Sequence, residues 1–229
     1  MIVFEEVSKR FSCGMSIERI LSPMEVEALS DITIEHPPAE CLLVNGPSGS
    51  GKSVFLNLVA GFYSPDSGRI RVNGFDPANS IEYRKKIALV RCGPHYFDVE
   101  LSARANLSLL AGWYGLSGVE REARVDESLE FIGIDTETRD VPVGELSAGI
   151  LNQVSLAGGL IPSPDLLLLD EPTRYLDKVD SKKLKQLLKA LAAQGMTLIV
   201  ASSCHDLVEE IPHRVLRLEE GKKVDYYGN

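Results

Sequence analysis

Eight consecutive residues of this chain have the types and spacing of a phosphate-binding loop. They read Gly46-Pro47-Ser48-Gly49-Ser50-Gly51-Lys52-Ser53, which fits the pattern G-x-x-x-x-G-K-[ST]. In that pattern the glycines let backbone N–H groups approach phosphates, the lysine reaches the β and γ groups, and the final hydroxyl coordinates Mg²⁺. The sequence therefore predicts a site for a nucleoside triphosphate with Mg²⁺.

The flanking sequence supplies the elements that such a loop needs. An apolar stretch at 41–44 precedes it, and a second apolar run at 54–60 follows it and ends at Gly61. This order predicts a strand, the loop, and a helix with a glycine after its last turn. A helix that begins at the loop places its positive dipole end under the phosphates, beside the charge of Lys52.

Two acidic residues, Asp170 and Glu171, follow a run of leucines at 166–169. We expect them at the carboxyl end of a buried strand, where α/β sheets bind their ligands. In enzymes with a phosphate-binding loop, an acid at this place holds the Mg²⁺ shell, and a following glutamate can act as general base on the attacking water. Many buried strands also end in a solvated aspartate, so this assignment depends on the loop at 46–53.

The composition argues against several classes of protein. The 229 residues carry a net charge of −9, which disfavours a general nucleic-acid surface, since phosphate backbones require clustered Lys and Arg. No apolar run approaches the roughly 20 residues of a membrane helix, and the first residues lack a signal-peptide pattern, so we expect a cytoplasmic protein. Four cysteines without C-x-x-C spacing favour free thiols: Cys13, Cys41, Cys92 and Cys204.

Strand-like and helix-like runs alternate along the chain, which indicates an α/β protein with a largely parallel sheet. The clearest helices are predicted at 180–193 and 119–132, with a strand at 197–201. The segments 2–7 and 28–34 are typical of an added antiparallel pair. Because 86–157 is mainly helical, we predict a single domain over 1–229, with a core of about 1–85 and 158–229 and an inserted helical subdomain of about 86–157.

These segments together resemble the ATP-binding subunit of an ABC transporter over nearly the whole chain. Residues 46–53 match the family's Walker A motif, 166–171 its Walker B motif with a catalytic glutamate, and 176–177 its D-loop. Leu146-Ser147-Ala148-Gly149-Ile150 resembles the signature motif, usually LSGGQ. Phe11 stands where the family has an aromatic residue that stacks on adenine, before an extended loop at 12–26. An ordinary core residue at a strand end is the other interpretation of Phe11.

The resemblance implies an α/β fold with a P-loop NTPase (RecA-like) core, ATP and Mg²⁺ as cofactors, and ATP hydrolysis coupled to transport. Two ATPase subunits would close head to tail around two ATP molecules, docked on transmembrane subunits at the inner face of the membrane. The implied catalytic residues are Glu171, Lys52 and Ser203. The implied nucleotide-binding residues are Phe11, Asn45, Gly46, Pro47, Ser48, Gly49, Ser50, Gly51, Lys52, Ser53, Ser147, Gly149 and Asp177. The implied metal-binding residues are Ser53, Asp170 and, at the position of the Q-loop glutamine, Cys92.

Three departures from the family pattern indicate a weakened site. Cys92 replaces a glutamine that senses Mg²⁺ and the attacking water, and a thiol is a weak donor and acceptor. The position of the switch histidine falls on Ser203, whereas His205, two residues later, reaches the γ-phosphate only through a local bulge. The signature motif has Ala148 and Ile150 in place of a glycine and a glutamine.

These departures lead to the hypothesis that the chain works beside a non-identical ATPase subunit and hydrolyses ATP slowly at its own site. A soluble ABC-type ATPase without transport and a nucleotide-binding regulatory subunit with little turnover are the alternatives. The segment 94–97 falls near the family's groove for the membrane partner, or only packs the helical region. Short segments at 40–44 and 218–224 are also similar to ATPases of energy-coupling-factor vitamin importers.

Overall fold

The computed structural model describes residues 1–13, 24–91, 97–174 and 176–228. One nine-stranded sheet runs through this part of the chain. Its strands in chain order are β1 Ile2–Cys13, β2 Met24–His36, β3 Cys41–Asn45, β4 Ser67–Val72, β5 Ile87–Arg91, β6 Leu166–Asp170, β7 Thr197–Ala201, β8 His213–Glu219 and β9 Lys222–Gly228. The helices are α1 Lys52–Val59, α2 Ile81–Arg84, α3 Ala103–Trp113, α4 Gly118–Ile132, α5 Thr136–Arg139, α6 Ala148–Leu160 and α7 Lys178–Ala193.

The spatial order of the strands is β4-β1-β2-β9-β8-β3-β7-β6-β5. The strands from β8 to β5 pair in parallel, whereas β4, β1 and β2 pair antiparallel. β9 joins the two parts, antiparallel to β8 and parallel to β2. The predicted α/β fold, with a mostly parallel sheet and an antiparallel addition at the amino terminus, is confirmed.

Two apolar cores cover the two faces of the sheet. Side chains alternate along a strand, so Leu167 and Leu169 of β6 pack into one core, with α3, α4, α6 and α7. Leu166 and Leu168 pack into the other, with α1 and the antiparallel strands. A parallel strand covered on both faces needs apolar residues at every position, which explains the uninterrupted leucine run.

The helices that the apolar periodicity predicted are present. α4 begins at Gly118 and ends before Gly133, whose φ of 82° suits the left-handed position after a helix. α7 begins two residues earlier than predicted, at Lys178, because Asp177 accepts a hydrogen bond from the backbone N–H of Asp180 at 2.8 Å and caps the helix. None of the described helices combines the length and the apolar character needed to cross a bilayer.

The loop predicted at 12–26 is wrong at both ends. β1 continues to Cys13 and β2 begins at Met24, and Ser12 pairs with Glu25 in the antiparallel ladder. The ladder extends there because aromatic Phe11 lies opposite β-branched Val26, and such cross-strand pairs stabilise a sheet. Residues 87–91 lie in the sheet as β5, and the helices of the predicted subdomain begin at Ala103. Its division from the core stays a prediction.

Candidate functional site

The phosphate-binding loop joins the carboxyl end of β3 to the start of α1. Residues 41–44 of β3 are buried between two parallel neighbours, so the loop begins from a fixed strand end. A Cβ atom on Gly46 would overlap the carbonyl oxygen of Leu218, and one on Gly51 would lie 2.6 Å from that of Ala28. Both glycines also have a positive φ, so only glycine fits these positions without strain.

Lys52 is the first residue of α1, and its side chain is only 7% exposed. Its Nζ donates to the carbonyl oxygens of Gly46 at 2.8 Å and Pro47 at 3.0 Å. The same Nζ lies 3.3 Å from Oε1 of Glu171. The loop therefore curls around a buried ammonium group whose charge is balanced by the carboxylate after β6.

Ser53, the residue after Lys52 in α1, contacts Asp170 at the end of β6. Ser53 Oγ donates to Asp170 Oδ1 at 3.0 Å. Burial raises the pKa of Asp170, while the hydrogen bond from Ser53 and the charge of Arg91 oppose that rise. A hydroxyl and a carboxylate are the hard oxygen donors that Mg²⁺ prefers, so these two residues fit the ion that the loop motif implies.

Glu171 has a fixed backbone in an uncommon conformation. Its φ is 47°, and its N–H donates to the carbonyl oxygen of Ala201 at the end of β7, at 2.8 Å. A non-glycine residue in the left-handed region needs support from its surroundings, and this hydrogen bond to the neighbouring strand provides it. The strained turn directs the Glu171 carboxylate back toward Lys52.

The two candidates for the switch position line one cavity beside the loop. Ser203 and His205 are both exposed and share a cavity of about 410 Å³ with Asn45, Gly46 and Pro47. Asn45 Nδ2 donates to the carbonyl oxygen of Ser202 at 2.9 Å and ties the end of β3 to this segment. Both residues therefore line the same cavity as the start of the loop, and the choice between them stays open.

The residues of the signature segment and the D-loop form a second cluster, at the amino termini of α6 and α7. Ser147 caps α6 by accepting a hydrogen bond from the N–H of Ile150 at 3.3 Å. Gly149 lies against the carboxylate of Asp180, which a Cβ atom at 149 would overlap. Ile150 is half-buried and packs on the core between the helices, which explains an apolar residue at that position.

Phe11 lies on β1 beside an aromatic and a basic neighbour. Its ring contacts Tyr63 edge to face, with 5.2 Å between the centroids, and Lys9 Nζ lies 5.4 Å from the Phe11 centroid. The ring is half-buried. It therefore has a packing role in the fold and a surface on which a planar ligand can stack.

Two residues of the site, Arg91 and Asn57, belong to no sequence motif and were not predicted. Arg91, at the end of β5, lies with its Nε 3.8 Å from Asp170 Oδ2, and its Nη2 donates to the side-chain oxygen of Asn57. Asn57 lies inside α1 and is buried. A basic residue directly after the apolar stretch of β5 was the available signal for Arg91. Cys92, predicted next to it as a metal ligand at the position of the Q-loop glutamine, lies outside the described residues.

An apolar groove opens between β5 and the helices α3 and α6. It has a volume of about 500 Å³ and includes Phe97, the one described residue of the segment 94–97. Two large aromatic side chains on its lining are strongly exposed, Trp113 at 83% and Phe62 at 67%. Exposed apolar surface concentrated around a groove is typical of a protein interface.

A phosphate-binding loop on a buried parallel strand, with an Asp-Glu pair on the next strand but one, defines the class of P-loop nucleotide-binding proteins. The family profile described as "ABC transporter" matches residues 29–174. The chain belongs to this family of ABC transporter ATP-binding proteins.

The sequences of individual relatives align with almost the whole chain. Nod factor export ATP-binding protein I of Burkholderia thailandensis is 31% identical over 226 residues, which cover 97% of this chain and 69% of that protein. Energy-coupling factor transporter ATP-binding protein EcfA2 of Streptococcus thermophilus is 34% identical, over 97% of this chain and 79% of the relative.

Solved structures share the fold. The protein cbiO1 from Clostridium perfringens, described as part of the ABC transporter complex cbiONQ, superposes with a TM-score of 0.83 at 28% identity, covering 100% of this chain and 88% of that one. A dimeric ATP-binding cassette in a post-hydrolysis state with ADP and Pi superposes with a TM-score of 0.84 at 24% identity, over 100% and 98% of the two chains. Because the identity to this cassette is only 24%, the similarity shows a common fold and nothing more.

Proposed function

We propose that this chain is the ATP-hydrolysing subunit that energises a membrane transporter. The observation that carries the proposal is the convergence of Lys52 and Ser53 from the loop with Glu171 and Asp170 from β6. One basic group, one hydroxyl and two carboxylates then surround the place where the phosphates of ATP would lie.

The chemistry follows from the contacts of each side chain. Lys52 Nζ has three oxygen neighbours, and a phosphate oxygen that replaces Glu171 keeps the ammonium charge balanced. Glu171 is then free to accept a proton from the attacking water as general base. Mg²⁺, held by Ser53 and Asp170, would neutralise charge on the β- and γ-phosphates.

A second, non-identical ATPase subunit completes the proposed assembly. Ser147 and the backbone N–H groups in the first turn of α6 form an anion-binding end, and in head-to-tail pairing they serve the partner's ATP. Ala148 and Ile150 depart from the signature pattern, so the contribution of this chain to the partner's site is weakened. Ser203 or His205 completes the chain's own site.

The groove between β5, α3 and α6 is the proposed binding site for the membrane partner. Its exposed rim of Trp113 and Phe62 suits an apolar or aromatic segment of a transmembrane subunit. The names of the relatives support a transporter as the partner, since they describe export, energy-coupling-factor and cbiONQ transporter subunits. Attachment there would place the chain at the inner face of the membrane.

ATP binding and hydrolysis by the chain and by its Glu171→Gln variant test the catalytic part. We expect the variant to bind ATP and to hydrolyse it at least about 100-fold more slowly, because it lacks the general base. Glu130→Gln, on the exposed surface of α4, is the control and should keep the wild-type rate. ATP binding without hydrolysis in any assembly would favour a regulatory subunit instead, and absence of ATP binding would reject the proposal.

Association with membranes tests the transport part. Trp113→Glu places a charge in the groove and should release the chain from the membrane fraction of its native cells. Val119→Glu is the matched control, because Val119 is 87% exposed and lies on α4, outside the groove. Equal release of both variants, or of neither, would show that the groove is not the surface that binds the membrane partner. Absence of the wild-type chain from the membrane fraction would favour a soluble ATPase without transport.

A further inference from the structure

Arg91 connects the two halves of the nucleotide site. It is the last residue of β5, and its partner in the parallel ladder is Asp170, the last residue of β6. The guanidinium Nε lies 3.8 Å from Asp170 Oδ2, and Nη2 donates to the side-chain oxygen of Asn57 on α1. A single cation is therefore held between the helix that follows the loop and the carboxylate assigned to the metal.

These contacts close into a ring. Asn57 Nδ2 donates to the carbonyl oxygen of Ser53 at 2.7 Å, and Ser53 Oγ donates to Asp170 Oδ1 at 3.0 Å. The side chain of Asp170 is 12% exposed and Asn57 is buried, whereas the side chain of Arg91 is 36% exposed and water screens its charge in part. Because Asn57 and Asp170 hold the guanidinium from two sides, Arg91 has a defined position.

The position of this charge affects the metal and the nucleotide in opposite ways. The guanidinium of Arg91 repels a Mg²⁺ bound at Ser53 and Asp170, and it competes for the same carboxylate. The same positive charge attracts the phosphates of ATP, including ATP without a metal. Both effects reduce the advantage that Mg²⁺ gives to ATP binding.

We propose that the positive charge of Arg91, held beside the Asp170 carboxylate, makes ATP binding less dependent on Mg²⁺. This inference rests on the proposed function, because it assumes that ATP binds at the loop 46–53. The quantity that reports it is the dissociation constant of ATP in EDTA divided by the dissociation constant in Mg²⁺.

Isothermal titration of the full chain with ATP in each buffer measures this ratio. For Arg91→Gln we expect the ratio to rise about tenfold, because the variant loses a charge-assisted contact to the site. Arg91→Lys keeps the charge, and its ratio should stay within about threefold of the wild-type ratio. Arg69→Gln removes the same charge from the exposed strand β4, at the opposite edge of the sheet, and should leave the ratio unchanged.

The outcomes separate the inference from the function on which it rests. An Arg91→Gln ratio within about twofold of wild type overturns the inference while ATP binding itself stands. Equal increases in Arg91→Gln and Arg91→Lys also overturn it, since geometry and not charge would then be responsible. If Arg91→Gln does not fold, Arg91→Met removes the charge with an unbranched side chain and is judged by the same limits. No ATP binding by the wild-type chain in either buffer overturns the proposed function and the inference together.

Discussion

Lys52 Nζ lies 3.3 Å from Oε1 of Glu171, so the lysine of the phosphate-binding loop and the proposed general base form an ion pair. The lysine side chain is almost fully buried, and a buried charge without a partner is strongly destabilising. ATP binding therefore has to exchange one anionic partner of Lys52 for another, and the exchange releases Glu171 for catalysis.

Glu171→Gln is expected to increase the stabilisation that ATP gives to the chain. The variant leaves Lys52 without its carboxylate, which should lower the free energy of unfolding of the ATP-free protein by about 1–3 kcal/mol. A bound phosphate would restore that partner. Thermal denaturation with and without ATP measures the effect, and an ATP-induced shift in Tm no larger than in the wild type would contradict the exchange.

Gly149→Ala is expected to destabilise the fold by about 1 kcal/mol, because the new Cβ atom overlaps the Asp180 carboxylate and forces that side chain to rotate away from its ion pair with Lys183. Gly112→Ala is the matched control. Gly112 lies inside α3, and a Cβ atom there meets only Arg121 Nη1 at 3.9 Å. Alanine should stabilise that helix by about 0.5–1 kcal/mol. Urea denaturation of both variants would contradict the packing argument if their changes in stability had the same sign.

Ser203→His is expected to raise the rate of ATP hydrolysis in the assembled complex, because an imidazole at this position can donate to the γ-phosphate and carry positive charge. His205→Ala should leave the rate unchanged if Ser203 occupies the switch position. Both residues line the same cavity, so steady-state phosphate release of the two variants compares them directly. A large loss in His205→Ala would assign the role to His205.

Phe11→Ala is expected to weaken ATP binding about tenfold, because stacking of an aromatic ring on a base contributes about 1–3 kcal/mol in proteins that bind single-stranded nucleic acid. Phe11→Tyr keeps the aromatic surface and should bind ATP as the wild type does. Tyr63→Ala removes the edge-to-face contact with Phe11 without removing the stacking ring. If Tyr63→Ala and Phe11→Ala lower ATP affinity equally, Phe11 has only a packing role.

The parts of the site that could be predicted from the sequence are contiguous. β3, the loop and α1 follow one another in the chain, and Asp170 and Glu171 directly follow the buried run of β6. Local signals identified these segments, since the loop pattern, the apolar run and the glycine at 61 are properties of neighbouring residues. The end of α4 at Gly133 was predicted for the same reason.

The contacts that were not predicted depend on how distant segments pair. Arg91 meets Asp170 because β5 and β6 pair in one particular register, and no local pattern determines that register. Asn57 looks like an ordinary polar residue of a helix until α1 packs beside the end of β5. The contact between Gly149 and Asp180 likewise requires α6 and α7 to be placed side by side.

Stability at mildly acidic pH depends on His36, at the end of β2. This imidazole is fully buried, its Nδ1 has no hydrogen-bond partner within the described residues, and its Nε2 lies 3.4 Å from the carbonyl oxygen of Glu40. Burial lowers the pKa of His36 from 6.5 to about 4. The folded chain therefore keeps the imidazole neutral over a pH range in which the unfolded chain protonates it.

The direction in which pH changes the free energy of unfolding follows from proton binding at His36. Between pH 6.5 and 4 the unfolded state binds more protons at His36 than the folded state, so the free energy of unfolding falls as the pH falls through this window. The contribution of His36 is fully present above pH 6.5, and about 3 kcal/mol of it is lost by pH 4. His36→Leu should therefore lose about 2–3 kcal/mol less stability than the wild type between pH 7 and pH 4.5.

Urea denaturation at pH 7 and pH 4.5 measures this difference, and comparison with the wild type cancels the other titrating groups. His205→Leu is the control, because it removes an exposed imidazole and should change stability by less than about 0.5 kcal/mol at either pH. If His36→Leu and the wild type lost the same stability on acidification, burial would not be holding the His36 imidazole neutral in the folded chain.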